Sequence, residues 1–188
     1  MCIIIDTNTF IPVFDSTCSK HDEFKPVLDW IINGKGKIIY GGTTYHKELL
    51  RAVKIRKIFS ILKSKSNKVV VVDQMLVDNE ERRIHNLIPD KDFDDPHLAA
   101  IVSVSKCQLI CSDDTRSIKY VTRPDIYPKG ISTPKYYTGN RNANLLSDEY
   151  IDERYKPLNK CSKKVIGVIE SGLSNIKKID LLDNLKYN

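Results

Sequence analysis

Short apolar runs rich in β-branched residues, each ending in an acidic residue, constrain the fold of this chain more than any other feature. They are CIIID at residues 2–6, VVVVD at 69–73 and QLICSDD at 108–114, and KIIYGG at 37–42 is a similar run without the acid. Unbroken apolar runs of this length are typical of strands that are buried on both faces, as in parallel sheets. We therefore expect several parallel strands.

Helical patterns separate these runs. Apolar residues recur at intervals of three and four in residues 22–33, 45–62 and 74–87, and the apolar stripe changes within 45–62, which predicts a bend or two successive helices there. Asp94-Asp95-Pro96 predicts a further helix start, because an acidic cap is often followed by proline in the first turn. Alternating strands and helices predict an α/β fold: a central parallel sheet with helices on both faces.

The composition changes in the last third of the chain. The net charge is +6, and residues 119–188 carry most of the basic excess. Residues 130–133 (GIST) predict a short strand, and residues 161–182 have a helical pattern. We expect one domain at 1–138 and a basic, mostly irregular and helical C-terminal extension at 139–188 that packs on it.

Composition also predicts the compartment. The five cysteines are scattered and form no CxxC pair, which argues against a disulfide framework and a zinc site. The chain has no apolar run near the roughly 18 residues of a membrane span, and its N-terminus does not resemble a secretory signal. We expect a cytoplasmic protein without a membrane segment.

Four acids fall where parallel sheets bind ligands, beyond the carboxyl ends of the strands. Asp6 and Asp113 end two of the runs, Glu48 lies in a helix that follows a strand, and Asp95 opens another helix. Clustered carboxylates repel one another unless a cation holds them, and all-oxygen ligation favours Mg²⁺ or Mn²⁺. Each acid also has an ordinary interpretation as a cap, a turn residue or a solvated side chain.

Basic residues predict a polyanionic partner. The stretch 49–68 contains seven lysines and arginines and no acid. Candidates for phosphate contacts are Lys54, Arg56, Lys57, Lys163 and Lys164. The alternative interpretation of the stretch is a solvated helix face. His46 and His97 lie near the acids in sequence and are interpreted as helix-surface histidines without an assigned role.

The motifs resemble those of the PIN domain nucleases over residues 1–138. IIIDTNTF is similar to the family's first motif, and Glu48 in YHKELLRA takes the place of its second acid. DPHLAAI is similar to the third motif and selects Asp95 over Asp94. LICSDD is similar to the fourth and selects Asp113, with Asp114 as a neighbour that can take its place. GISTPKYY is similar to the closing strand.

The resemblance implies a Mg²⁺- or Mn²⁺-dependent endoribonuclease that hydrolyses RNA with a metal-activated water. It implies that Asp6, Glu48, Asp95 and Asp113 or Asp114 bind the metal. Thr7, Asn8 and Ser112 would hold the carboxylates or a bound water. Small members of the family are often toxins, so the resemblance also implies a protein inhibitor of the antitoxin kind and a homodimer.

Two other functions compete with this hypothesis. The segment DTNT is close to the DxDxT motif of HAD-type phosphatases, in which Asp6 would be the nucleophile. Asn8 then stands where the general acid belongs, and an amide cannot donate a proton in that role. The other alternative is a non-catalytic RNA-binding or assembly module, with which the basic extension is compatible.

Overall fold

The computed structural model describes residues 2–147, 153–155 and 159–171. Its sheet has five strands in the order β3-β2-β1-β4-β5, and every neighbouring pair is parallel. The strands are β1 (Cys2–Ile5), β2 (Lys37–Tyr40), β3 (Val69–Val71), β4 (Leu109–Cys111) and β5 (Lys135–Tyr137). The predicted α/β class with a central parallel sheet is confirmed.

Helices fill the connections between the strands. They are α1 (Phe10–Phe14), α2 (His21–Ile32), α3 (Thr43–Arg51), α4 (Val53–Ser66), α5 (Gln74–Leu87), α6 (Pro96–Ser105) and α7 (Ile118–Val121), with helical residues also at 163–171. Because the strand order reverses direction at β1, right-handed crossovers place α1 to α4 on one face and α5 and α6 on the other. No helix in the described part of the chain is both long and apolar enough to cross a membrane.

The apolar runs occupy different places in the sheet. β1 and β4 lie in its interior, and all of their residues are buried. VVVVD, in contrast, supplies the edge strand β3, which pairs with β2 alone, and Val71 is 40% exposed. Full burial of this run was therefore a wrong expectation, because position in the sheet and not the run itself decides exposure.

The start of α3 is capped by a side chain from another helix. Gly42 occupies the N-cap position with a φ of 82°, a conformation that favours glycine, and Thr43 is the first helical residue. Asp78 of α5 supplies the cap instead, since its carboxylate accepts from the Thr43 amide and hydroxyl, each at 2.6 Å. The helical conformation is interrupted at Ala52, between α3 and α4, which confirms the prediction of two successive helices.

The last strand begins later than the sequence predicts. Residues 130–133 are not a strand, and β5 forms at Lys135–Tyr137 instead. Pro134 lies between the two segments and has no amide hydrogen to donate to a sheet. Pairing with β4 starts one residue later, where the Lys135 amide donates to the Gln108 carbonyl at 2.8 Å.

The segments of the extension around Tyr155 and Cys161 pack at the amino-terminal ends of the strands. The Cys161 amide donates to the Ile32 carbonyl at the end of α2 (3.0 Å), and Lys37 Nζ at the start of β2 donates to the Tyr155 carbonyl (3.0 Å). The Tyr155 hydroxyl donates to the carbonyl of Ser105, the last residue of α6 (2.7 Å). Of the helix predicted at 161–182, residues 163–171 are helical, and 172–182 lie outside the described residues.

These contacts predict that the extension contributes to global stability. We expect Tyr155→Ala to lower the free energy of unfolding by about 3 kcal/mol, through lost ring burial and a lost hydrogen bond. Tyr155→Phe, which removes only the hydroxyl, should cost about 1 kcal/mol. Urea unfolding measures both against Lys129→Ala, a change at an exposed position. Unchanged stability of Tyr155→Ala would show that the extension lies outside the cooperative unit.

Candidate metal centre

The topological switch point of the sheet lies between β1 and β4. The chain builds the sheet from β1 outward through β2 and β3, then returns to place β4 on the other side of β1. Ligands of open parallel sheets bind in the crevice beyond the carboxyl ends of strands at such a point. Asp6 directly follows β1, and Ser112 directly follows β4. The Asp6 amide donates to the Cys111 carbonyl at 2.9 Å, so the two ends stay paired.

Asp6 is held from two sides in this crevice. Its side chain is 3% exposed, and Oδ2 accepts from Asn8 Nδ2 at 2.8 Å and from Ser112 Oγ at 2.7 Å. Burial raises the pKa of Asp6, and the Ser112 hydrogen bond opposes that shift. Asn8 and Ser112 thus make the carboxylate-holding contacts that the resemblance implies.

Glu48 reaches the crevice because α3 docks over the end of β1. The Tyr45 hydroxyl, buried within the core, donates to the Ile5 carbonyl at 2.6 Å. Its ring stacks on that of Tyr40, with centroids 5.3 Å apart. Glu48 lies three residues further along α3 and therefore on the same face. Its Oε2 accepts from Thr7 Oγ1 at 2.8 Å, which is the contact expected of Thr7.

Three aspartates from two segments meet beside Asp6. Oxygens of Asp94, Asp95 and Asp114 all lie within 4.8 Å of one another, a spacing at which they can hold a metal ion. Asp95 is the N-cap residue of α6, yet its side chain makes no capping hydrogen bond. Capping, the ordinary interpretation of this acid, is therefore not what its side chain does.

Asp95 has the most unfavourable environment for a negative charge in this cluster. The pKa of Asp95 is raised to about 7, mainly by burial and then by the negative charges of Asp6, Asp94, Asp114 and Glu48, in that order. These causes also show that the five acids lie close enough to interact. We call Asp6, Glu48, Asp94, Asp95 and Asp114 the acid cluster.

The two consecutive aspartates after β4 point to different partners. Asp113 is exposed and pairs with Lys20. The Asp114 amide donates to Ser112 Oγ at 3.0 Å, and the side chain of Asp114 joins Asp94 and Asp95. Arg116 Nη2 donates to Asp114 Oδ2 at 2.6 Å and holds the pKa of Asp114 below its usual range. The geometry favours Asp114 over Asp113 as the fourth acid.

Sequence reasoning missed three members of this region. The resemblance selects Asp95 over Asp94, although the doubled acid is a usable signal for both. Arg116 belongs to no motif, and only its position two residues after Asp114 in the sequence could have indicated that the two interact. His97 was interpreted as a surface histidine, but it is 2% exposed, and its Nε2 lies 3.8 Å from Glu48 Oε2. The apolar residues that surround it in HLAAIV were the available hint of burial.

The predicted phosphate-binding residues lie at two edges of the sheet. Lys54, Arg56 and Lys57 are exposed in the first turns of α4. That helix starts beside a shallow pocket lined by Thr7, Phe10, Glu48, Arg51 and Ala52. Lys163 and Lys164 are also exposed, but their segment packs at the amino-terminal ends of the strands, opposite the acid cluster.

No family model, curated protein or solved structure matches the chain. The function of the acid cluster is therefore inferred from its own residues and contacts.

The raised pKa of Asp95 predicts a pH-dependent cost of folding. The folded state binds this proton more tightly than the unfolded state does, so the free energy of unfolding falls as pH rises from about 4 to about 7. We expect Asp95→Asn in EDTA to match wild-type stability near pH 4 and to exceed it by roughly 2 kcal/mol near pH 8. Urea unfolding at the two pH values measures this, and equal stabilities near pH 8 would contradict it.

Proposed function

We propose that the protein is a Mg²⁺- or Mn²⁺-dependent endoribonuclease that hydrolyses RNA phosphodiester bonds. The observation that carries the proposal is the convergence of Asp6, Glu48, Asp95 and Asp114, from four separate elements, at the switch point of the sheet. The resemblance of IIIDTNTF, DPHLAAI and LICSDD to the motifs of PIN domain nucleases supports it independently of the geometry.

The acid cluster fits a hard divalent cation. Its side-chain donors are carboxylate oxygens, which suit Mg²⁺ and Mn²⁺ better than softer metals. Burial and mutual repulsion, which together raise the pKa of Asp95, are the costs that a cation would offset. When bound, the cation supplies a Lewis acid for water and for phosphate oxygens. Asn8, Ser112 and Thr7 contribute by fixing the orientation of Asp6 and Glu48.

The charges around the acid cluster suit a phosphate backbone. Lys20 and Arg116 pair with Asp113 and Asp114 and are exposed at the same edge. The basic first turns of α4 extend this positive surface away from Glu48, beyond the shallow pocket. An open edge of the sheet with basic side chains on both sides of the acid cluster accommodates a nucleic-acid strand that passes across it. The inhibitor and the homodimer that the resemblance implies remain predictions.

The first test removes single carboxylates. Asp6→Asn and Asp114→Asn should each reduce cleavage of single-stranded RNA more than about 100-fold in Mg²⁺ or Mn²⁺, because each removes a charge that the cation needs. Asp113→Asn is the matched control, and we expect cleavage within a few fold of wild type, because Asp113 faces Lys20. Product analysis on denaturing gels measures the rates.

Each contrary outcome identifies an alternative. Cleavage that survives EDTA and Asp6→Asn overturns the proposal. Release of phosphate from small esters with intact RNA would indicate a phosphatase with Asp6 as nucleophile. A mobility shift of RNA in EDTA without cleavage in any cation would indicate a binding module.

The second test compares the two basic regions. In an Asp6→Asn background, Arg56→Gln with Lys57→Gln should weaken binding of a short single-stranded RNA by about tenfold and flatten its salt dependence. Lys163→Gln with Lys164→Gln should have a smaller effect, because these lysines lie at the opposite edge of the sheet. Fluorescence anisotropy across a range of salt concentrations measures both. Equal effects would show that the extension contributes to the same RNA-binding surface.

A further inference from the structure

His97 is a buried polar side chain without a hydrogen bond. In the described part of the chain, its Nδ1 and Nε2 are the fully buried side-chain nitrogen or oxygen atoms that lack a partner. Leaving a buried donor or acceptor unsatisfied costs about 1–3 kcal/mol, so such groups usually have a reason beyond packing. A neutral imidazole has one donor and one acceptor nitrogen, so both ring nitrogens have hydrogen-bonding capacity that the fold leaves unused.

The ring faces one particular oxygen of the acid cluster. His97 Nε2 lies 3.8 Å from Glu48 Oε2, the same oxygen that accepts from Thr7 Oγ1 at 2.8 Å. A movement of less than about 1 Å brings Nε2 into hydrogen-bond range. Two donors on Oε2 would then leave Oε1 as the oxygen available to a cation.

We propose that His97 is a positioning residue that donates from Nε2 to Glu48 Oε2 and turns Glu48 Oε1 toward a divalent cation in the acid cluster. The inference rests on the proposed metal site and adds a residue to it. A role of this kind matches the general behaviour of metal-binding carboxylates, whose orientation depends on hydrogen bonds from outside the ligand set.

Direct ligation by His97 fits the geometry less well. The ring nitrogen on the side of the acid cluster, Nε2, lies 3.8 Å from Glu48 Oε2 and therefore faces a carboxylate oxygen rather than the space between carboxylates. Both ring nitrogens are also closed off from solvent. A purely structural histidine, in turn, would have hydrogen-bonded ring nitrogens. The side-chain donors of Asn8 and Ser112 nearby both make such hydrogen bonds, to Asp6.

The experiment measures Mn²⁺ affinity and folding stability in the same variants of the full chain. His97→Leu removes the donor at similar volume, and we expect the dissociation constant for Mn²⁺ to rise about 10- to 100-fold. Its stability in EDTA should be equal to or higher than that of wild type, because an apolar side chain replaces an unsatisfied polar one. His97→Gln keeps a donor and should stay within about threefold of wild-type affinity. Titration calorimetry with MnCl₂ and urea unfolding provide the two readouts.

A control on the same helix separates affinity from stability. The Ser103 hydroxyl donates to Glu80 Oε1 at 2.7 Å, away from the acid cluster. Ser103→Ala should therefore lower stability and leave Mn²⁺ affinity unchanged. Unchanged Mn²⁺ affinity in His97→Leu overturns the role of His97, and so does a strong nitrogen coupling in the EPR spectrum of bound Mn²⁺, which indicates direct ligation. Failure of wild type to bind Mn²⁺ would instead overturn the metal site itself.

Discussion

The parallel register between β1 and β4 fixes the geometry of the acid cluster. Ile5 pairs with Cys111. The residues that follow the two strands, Asp6 and Ser112, therefore lie side by side beyond the strand ends. The hydrogen bond from Ser112 Oγ to Asp6 Oδ2 follows directly from this pairing. A slip of one residue would turn every side chain to the opposite face and separate the two. Both strands are apolar and completely buried, and this burial fixes their register. The residues that form the core therefore also specify the position of the site.

Unfavourable interactions concentrate at this one edge of the sheet. Elsewhere, buried charged groups are paired: Lys37 donates to the Tyr155 carbonyl, and Lys68 donates to the Gly34 and Gly36 carbonyls. At the acid cluster, Asp95 carries a pKa raised to about 7, and His97 has two unsatisfied nitrogens. A fold that satisfies buried polar groups at one edge and leaves them unsatisfied at another gives up stability locally, which is the usual mark of a binding site.

Sequence alone predicted the elements better than the directions of side chains. Apolar runs and helical spacing predicted β1 to β4 and the longer helices but not α1, α7 or the start of β5, and a strand end or helix start located Asp6 and Asp95. The choice between Asp113 and Asp114 depended on the turn after β4, in which Ser112 Oγ accepts from the Asp114 amide and leaves Asp113 facing Lys20. Adjacent residues carry the same sequence signal, so only the turn distinguishes them.

Helix α6 connects the acid cluster to the opposite edge of the molecule. Asp95 lies at the N-cap position of this helix, and the carbonyl of Ser105 at its other end accepts hydrogen bonds from Tyr155 and Arg154 of the extension. The ten residues of α6 span about 15 Å, so a continuous ladder of backbone hydrogen bonds joins its two ends. The residues that anchor the far end of α6 therefore also constrain Asp95 and His97 at its near end. Arg154 and Tyr155 can thus influence the acid cluster from the opposite end of α6, by limiting how far α6 tilts or slides against the sheet.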